Sequence, residues 1–260
     1  MKRIAIETAM AVLLLLLMAY SLVGETFHEI AGTAAFCLFL LHHRRRRAWY
    51  RAFFRGSYPP GRLFNSALDV LLLVWMALQP LSGLLISKHL YTFVQISGLT
   101  SPAREAHLLL AYWGFLLLAV HTGAHLPPPI RRLAAKGKTG KRAAFFISVL
   151  WFFAAFYGCR AFAQRRMVDY LFHRAGFVFL DFNEPRIFFF LDYIAIALLF
   201  AGAGALSRGA LPVREEEIGP AKRGARIDLF LPFRYNARGQ KSKPQAGIGG
   251  DSKRGFSGTG

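Results

Sequence analysis

Four of the eight histidines form two pairs with identical spacing. His28 and His42 are 14 residues apart in one apolar stretch, and His107 and His121 are 14 residues apart in another. In an α-helix, 14 residues come to within about 40° of four full turns and rise about 21 Å, so both members of a pair share one face. Neutral imidazole is a good axial ligand for haem iron. Two such helices side by side would offer two bis-histidine sites, and the spacing therefore predicts two b-type haems.

Other histidines could replace His42 or His121 as ligands. His43 points about 100° away from His42 and opens a basic run, so we expect it to face lipid headgroups. His125 lies one turn beyond His121 on a similar face and competes with it directly. Zinc hydrolysis is disfavoured because His121-x-x-x-His125 lacks the glutamate of an HExxH motif. A single intramembrane histidine could be structural or carry protons, and it is the repeated spacing that favours haem.

Six apolar stretches must position these histidines. Hydrophobic residues make up 54% of the chain, and a membrane-spanning helix needs about 20 of them in a row. The runs are continuous and not alternating, which indicates helices. The sequence predicts an all-α integral membrane protein: a bundle of about six transmembrane helices with a four-helix cytochrome b-like haem-binding core at about 25–126. The expected spans are 4–23, 25–41, 64–90, 102–126, 142–163 and 186–206.

The basic residues predict the orientation of these spans. With the N-terminus in the cytoplasm, 26 of the 33 Lys and Arg residues fall on the cytoplasmic side, as the positive-inside rule requires. Both termini are then cytoplasmic, and the second and fourth spans run parallel. His28 and His107 share an outer depth, and His42 and His121 share an inner one. The first stretch could instead be a signal peptide, whose removal would leave the other five spans unchanged.

The net charge of +19 does not indicate nucleic-acid binding. The basic residues flank apolar runs or lie in the tail, a pattern typical of membrane topology and of attraction to anionic lipid. No basic face of a soluble domain accompanies them. We expect residues 1–206 to form the transmembrane unit and 207–260 a basic, mostly disordered cytoplasmic tail. The aromatic segment 165–186 is expected at the outer interface, with a short amphipathic helix over the bundle.

Three further polar residues lie in or beside the spans. Asp69 and Asp192 could line a proton path or a quinol site, although each is explained more simply as a first-turn carboxylate favoured by the helix dipole. Arg104, one turn before His107, could pair with a haem propionate. Snorkelling of this side chain to lipid phosphate is the simpler alternative.

Spans three and four resemble a known family. Asp69 opens span three, Ser82-Gly83 lies near its outer end, and span four carries His107, His121 and His125. This combination resembles the flavinylation-associated cytochrome family, long described as a bacterial domain of unknown function. Further similar features lie at His28-Glu29, at His42 with its basic run and Trp49, and at LDFNEP and Leu191-Asp192-Tyr193. The histidine spacing is also shared with wider diheme cytochrome b families.

The resemblance implies electron transfer in a bacterial cytoplasmic membrane, often coupled to extracytosolic domains that carry covalent flavin. We therefore expect a diheme b-type cytochrome that passes electrons between a quinol or cytoplasmic donor and an outer redox protein. His28 and His107 would ligate the outer haem, and His42 and His121 the inner one, with His125 and His43 as substitutes. Such a chain is an electron-transfer subunit of an oxidoreductase system.

Two haem-free alternatives stay open. A transporter would need a broken helix or a polar stripe near the membrane midplane, and Pro80 could break span three. A structural or assembly subunit would make the histidines incidental.

Overall fold

A computed structural model of the chain describes residues 2–94, 96–125, 137–181 and 183–210. Within these residues all regular secondary structure is helical, and no strand is present. The expected tail, 207–260, lies almost entirely outside them. The α-helices are α1 (Lys2–Met18), α2 (Tyr20–Val23), α3 (Glu25–Arg45), α4 (Arg47–Phe53), α5 (Pro60–Ile86), α6 (Thr100–Ala124), α7 (Gly137–Gln164), α8 (Met167–Leu171) and α9 (Arg186–Ala210).

Four of the described helices are long and apolar enough to cross a membrane. They are α5, α6, α7 and the Arg186–Ser207 part of α9. This confirms the all-helical class within the described residues and gives four helices that could span a membrane, at four of the six predicted spans. In α1 the apolar part is short, Ala5–Met18, and α3 carries glutamates at one end and a His-His-Arg-Arg run at the other. Membrane crossing by α1 and α3 stays a prediction.

The helices differ from the predicted spans mainly at their ends. Proline at the first helical position suits a helix start, because no N–H partner is needed there, and α5 accordingly begins at Pro60 and ends at Ile86. Pro80 lies inside α5, and the helix continues through it. The basic run after span two is helical: α3 extends to Arg45, and α4 follows at once.

Contacts between helix ends show how successive helices are oriented. Near the start of α1, Glu7 forms a 2.8 Å ion pair with Arg46, which follows the last residue of α3. Near the start of α3, the Glu29 carboxylate accepts a 2.8 Å hydrogen bond from the backbone N–H of Lys88, just beyond α5. The helices α1, α3 and α5 therefore alternate in direction.

The second half of the chain continues this alternation. Tyr157, late in α7, donates a 2.5 Å hydrogen bond to Asp192, early in α9. The hydroxyl groups of Tyr112 in α6 and Tyr193 in α9 lie 3.3 Å apart. Helices α6 and α9 thus run parallel, and α7 runs antiparallel to them.

The tightest packing joins α9 to α6 and α7. An added Cβ at Gly123 of α6 would collide with the Ala201 carbonyl, and one at Gly204 of α9 would collide with the Val120 carbonyl. Such close backbone approach is typical of small residues at membrane helix contacts. The core here is largely aromatic: it includes Tyr112, Phe115, Tyr170 and Tyr193, together with the buried Ile196.

The expected short helix between the last two spans is present as α8. Its residues Met167, Tyr170 and Leu171 are buried. Trp113 of α6 donates its indole N–H to the Leu171 carbonyl at 2.8 Å, which ties α8 to the end of the bundle. Its position at an outer membrane interface stays a prediction.

Candidate functional site

His28 and His107, the two residues predicted to share the outer haem, lie close together in the structure. The rings of His28 and His107 lie 6.1 Å apart, centre to centre, with an angle of 70° between their planes. Because one residue lies near the start of α3 and the other near the start of α6, these helices run parallel, as the topology predicted. The two rings are thus near neighbours, as a shared site would require.

Polar groups of α5 orient the His107 ring. Ser82 Oγ donates to the Gln79 carbonyl at 2.8 Å and lies 3.0 Å from His107 Nδ1. Because the hydroxyl hydrogen is used on Gln79, Ser82 accepts from Nδ1–H, and His107 Nε2 keeps its lone pair. The Gln79 side-chain amide nitrogen lies 3.3 Å from that Nε2 atom and donates to its lone pair, so a ligand at Nε2 would have to displace this amide. Gly83 leaves room for the ring, since an added Cβ would come within 3.3 Å of it.

The His28 ring has a different environment. Its Nδ1 atom is buried and makes no hydrogen bond of normal geometry, although the Leu17 carbonyl lies close to the ring. Tyr20 packs edge-on against the ring at 5.2 Å. A buried imidazole nitrogen without a hydrogen-bond partner is costly. The buried Nδ1 atom of His28 therefore suits a metal ligand better than a purely structural group.

A glutamate next to His28 anchors α3 to the segment after α5. The Glu29 carboxylate accepts hydrogen bonds from Ser87 Oγ at 2.8 Å and from the backbone N–H groups of Lys88 and Leu90, each at 2.8 Å. Sequence reasoning gave Glu29 no role of its own. The signal was available, because a carboxylate in an apolar stretch needs a partner.

His42 and His121, the two residues predicted to share the inner haem, lie towards the opposite ends of α3 and α6. Asp69 Oδ1 of α5 is 3.0 Å from His121 Nδ1, and the rings of His121 and His125 are 4.8 Å apart. One ligand atom from each of these three residues lies within 4.8 Å of the others. His42 of α3 does not belong to this cluster. The structure thus brings His28 and His107 together at one end and Asp69, His121 and His125 at the other, while the pairing of His42 with His121 stays a prediction.

The expectation that His43 faces lipid headgroups stays a prediction. Its side chain is partly buried, with its ring 4.3 Å from Phe39 and its Nδ1 atom 2.6 Å from the Tyr50 hydroxyl. Burial raises the pKa of the Tyr50 phenol, so this hydroxyl stays protonated and can donate to His43. The helical continuation into α4 supplies Tyr50.

The simpler interpretation of the two aspartates was wrong. Neither lies in a first helical turn, because α5 and α9 begin well before them. Asp192 is only 2% exposed and accepts hydrogen bonds from Tyr157 at 2.5 Å and from Arg165 at 2.8 Å. Arg165 also binds Glu184 at 2.7 Å. This buried network joins α7 to α9 and has a structural role.

Gly32 of α3 and Gly114 of α6, which lie between the two histidines of their helices, face other side chains. Gly114 packs against Trp75, which an added Cβ would meet at 3.1 Å, and Gly32 faces Leu17 of α1. The imidazole donors fit haem ligation, whereas these glycines do not supply the space. Arg104 is exposed, and its pairing with a propionate stays a prediction.

Comparison of the chain with family models, with curated proteins and with solved structures gives no match.

Proposed function

We propose that this chain is a diheme b-type cytochrome that carries electrons across the bacterial cytoplasmic membrane. The observation that carries the proposal is the contact of His28 with His107 at one end of the parallel helices α3 and α6, with a second histidine cluster at the other end of α6. His28 meets His107 at the first end, and Asp69, His121 and His125 cluster at the second, where His42 would be the ligand supplied by α3. If these histidines had only a structural role, a second histidine cluster at the other end of α6 would not be needed.

The chain's own residues would bind and orient the cofactors. Haem iron, when bound, supplies reversible one-electron transfer. His28 and His107 would ligate the outer haem: the hydrogen bond from His107 Nδ1 to Ser82 leaves the lone pair on Nε2, and the iron would take the place of the Gln79 amide there. His42 and His121 would ligate the inner haem. Apolar surroundings would exclude water and tune both potentials.

The proposed arrangement includes six membrane spans with both termini in the cytoplasm. Helices α1 and α3 would add two spans to the four that are long and apolar enough by themselves. The electron donor would be a quinol or a cytoplasmic reductant, and the acceptor an extracytosolic redox protein that could carry flavin. Besides these partners we propose lipid contacts and no nucleic acid, with the chain acting as an electron-transfer subunit.

Purification in detergent followed by a reduced-minus-oxidised spectrum tests this function. We expect b-type haem bands and about two haems per chain, because the two histidine groups are separated by about 21 Å along the helices. A haem-free transporter or assembly subunit would instead give folded protein whose spectrum lacks these bands. That result would refute the proposal.

Single substitutions then assign the ligands. His28→Ala and His107→Ala should each lose one haem and retain the other, because they act at the same end of the bundle. The matched control is His173→Ala, since this exposed histidine lies 3.5 Å from Glu105 and outside both groups. It should retain both haems. Full haem content in both His28→Ala and His107→Ala would exclude the outer site.

A further inference from the structure

Asp69 of α5 forms a close contact with His121, which lies in the last turn of α6. Their Oδ1 and Nδ1 atoms are 3.0 Å apart, and both side chains are mostly buried, with 19% and 29% exposure respectively. Neither atom makes a hydrogen bond of normal geometry with any residue. The distance is right and only the angle is off, so a small rotation of the imidazole would let Nδ1–H donate to the carboxylate.

This contact determines which His121 nitrogen is available. When Nδ1 carries the hydrogen and faces a carboxylate, Nε2 keeps its lone pair for a metal. Histidines that bind metals commonly donate their other ring N–H to a carboxylate, which fixes the ring and makes it a stronger base. His125, by contrast, is exposed and is the residue at which α6 ends.

We propose that Asp69 is a positioning residue that selects His121 over His125 as the α6 ligand of the inner haem. This inference rests on the proposed function. By accepting from Nδ1–H, Asp69 would fix the His121 ring and leave Nε2 to bind the iron. The same carboxylate would favour the ferric state, because added electron density on the imidazole stabilises the higher charge.

Potentiometric titration of the purified protein with Asp69→Asn tests the inference. Asparagine keeps the size of the side chain and removes its charge, so the inner haem should stay bound while its midpoint potential rises. A tenfold loss of preference for ferric iron corresponds to about 59 mV in a one-electron couple. The outer haem, at the other end of the helices, should keep its potential.

Glu7→Gln is the matched control. Glu7 lies at the same end of the bundle, where it pairs with Arg46, and its charge reaches His42. Glu7→Gln removes a carboxylate, as Asp69→Asn does, but leaves the carboxylate beside His121 in place. A shift in Asp69→Asn no larger than that in Glu7→Gln would overturn the proposal.

Haem content of His121→Ala and His125→Ala gives a second test, which does not require Asp69→Asn to fold. His121→Ala should lose the inner haem, and His125→Ala should retain it. The reverse result would overturn the inference and leave the cytochrome function intact. Wild-type protein without haem would instead overturn the proposed function itself.

Discussion

Helix α5 provides a polar partner for a histidine at each end of α6. Ser82 accepts from His107, and Asp69 faces His121. A hydroxyl and a carboxylate act differently on an imidazole, because only the carboxylate carries charge. The two haem sites proposed for this protein would therefore have different potentials, with the lower one on the side of Asp69.

Glu29 gives a prediction at the scale of one residue. Glu29→Gln should destabilise the segment 87–90, because an amide replaces one acceptor oxygen by a donor that faces backbone N–H groups. Hydrogen bonds to a charged group contribute about 1.5–3 kcal/mol, so we expect a loss of about 2 kcal/mol. Hydrogen exchange at the amides of Lys88 and Leu90 would measure it.

Glu105→Gln is the control for this substitution. Glu105 is 56% exposed, and its carboxylate lies 3.5 Å from His173. Exposed pairs contribute little, so exchange at residues 87–90 should stay at the wild-type rate. Equal exchange in Glu29→Gln and wild type would show that the carboxylate does not hold this segment.

Among the elements, α9 is held most closely to its neighbours. The backbone of α9 touches α6 at Gly204 and α7 at Ala195, where Gly158 makes room. One turn from Ala195, the buried ion pair of Asp192 with Arg165 strengthens the α7–α9 contact at the same end. Close backbone contacts thus join α9 to both α6 and α7.

Gly204→Ala should loosen the contact between α6 and α9. The added methyl would collide with the Val120 carbonyl, and overpacking costs about 1–3 kcal/mol. Thermal unfolding in detergent should show a lower midpoint than in wild type. Gly202→Ala is the matched control on the same helix, since its Cβ would meet Trp151 at an ordinary 3.6 Å. Similar midpoints for both variants would contradict this account.

At the scale of the whole molecule, the open question is whether α1 and α3 cross the membrane. Their polar ends are held by ion pairs, Glu7 with Arg46 and Glu25 with Lys88. If α3 crosses, Thr26 and Arg51 lie on opposite sides. Both residues are exposed, which suits them to labelling.

Single cysteines at Thr26 and Arg51 would test this crossing, in a background where Cys37 and Cys159 are replaced. On intact cells, an impermeant maleimide should label Thr26→Cys. Arg51→Cys should react only after the cells are opened, because basic segments stay cytoplasmic. Labelling of both from the same side would exclude the six-span topology.

The sequence by itself determined the helical class, four of the membrane helices and the pairing of His28 with His107. Hydropathy and a regular helical period are local properties, and two helices with equal spacing and the same direction bring matching residues together. The start of α5 was less well predicted, since a proline and the polar residues after it can begin a helix before its apolar run. Asp69 consequently lies farther from the first turn than expected, whereas α9 begins at the predicted residue 186, which already places Asp192 beyond the first turn.

Only the tertiary structure decided which groups face the histidines. Ser82, Asp69 and Tyr50 reach them from other helices, and their approach depends on how α4 and α5 pack and rotate beside α3 and α6. Spacing within one helix cannot specify that rotation, because it is set by side-chain contacts such as Trp75 against Gly114. The spacing of the histidines can therefore be read from the sequence, whereas the groups that orient their rings depend on how the helices pack.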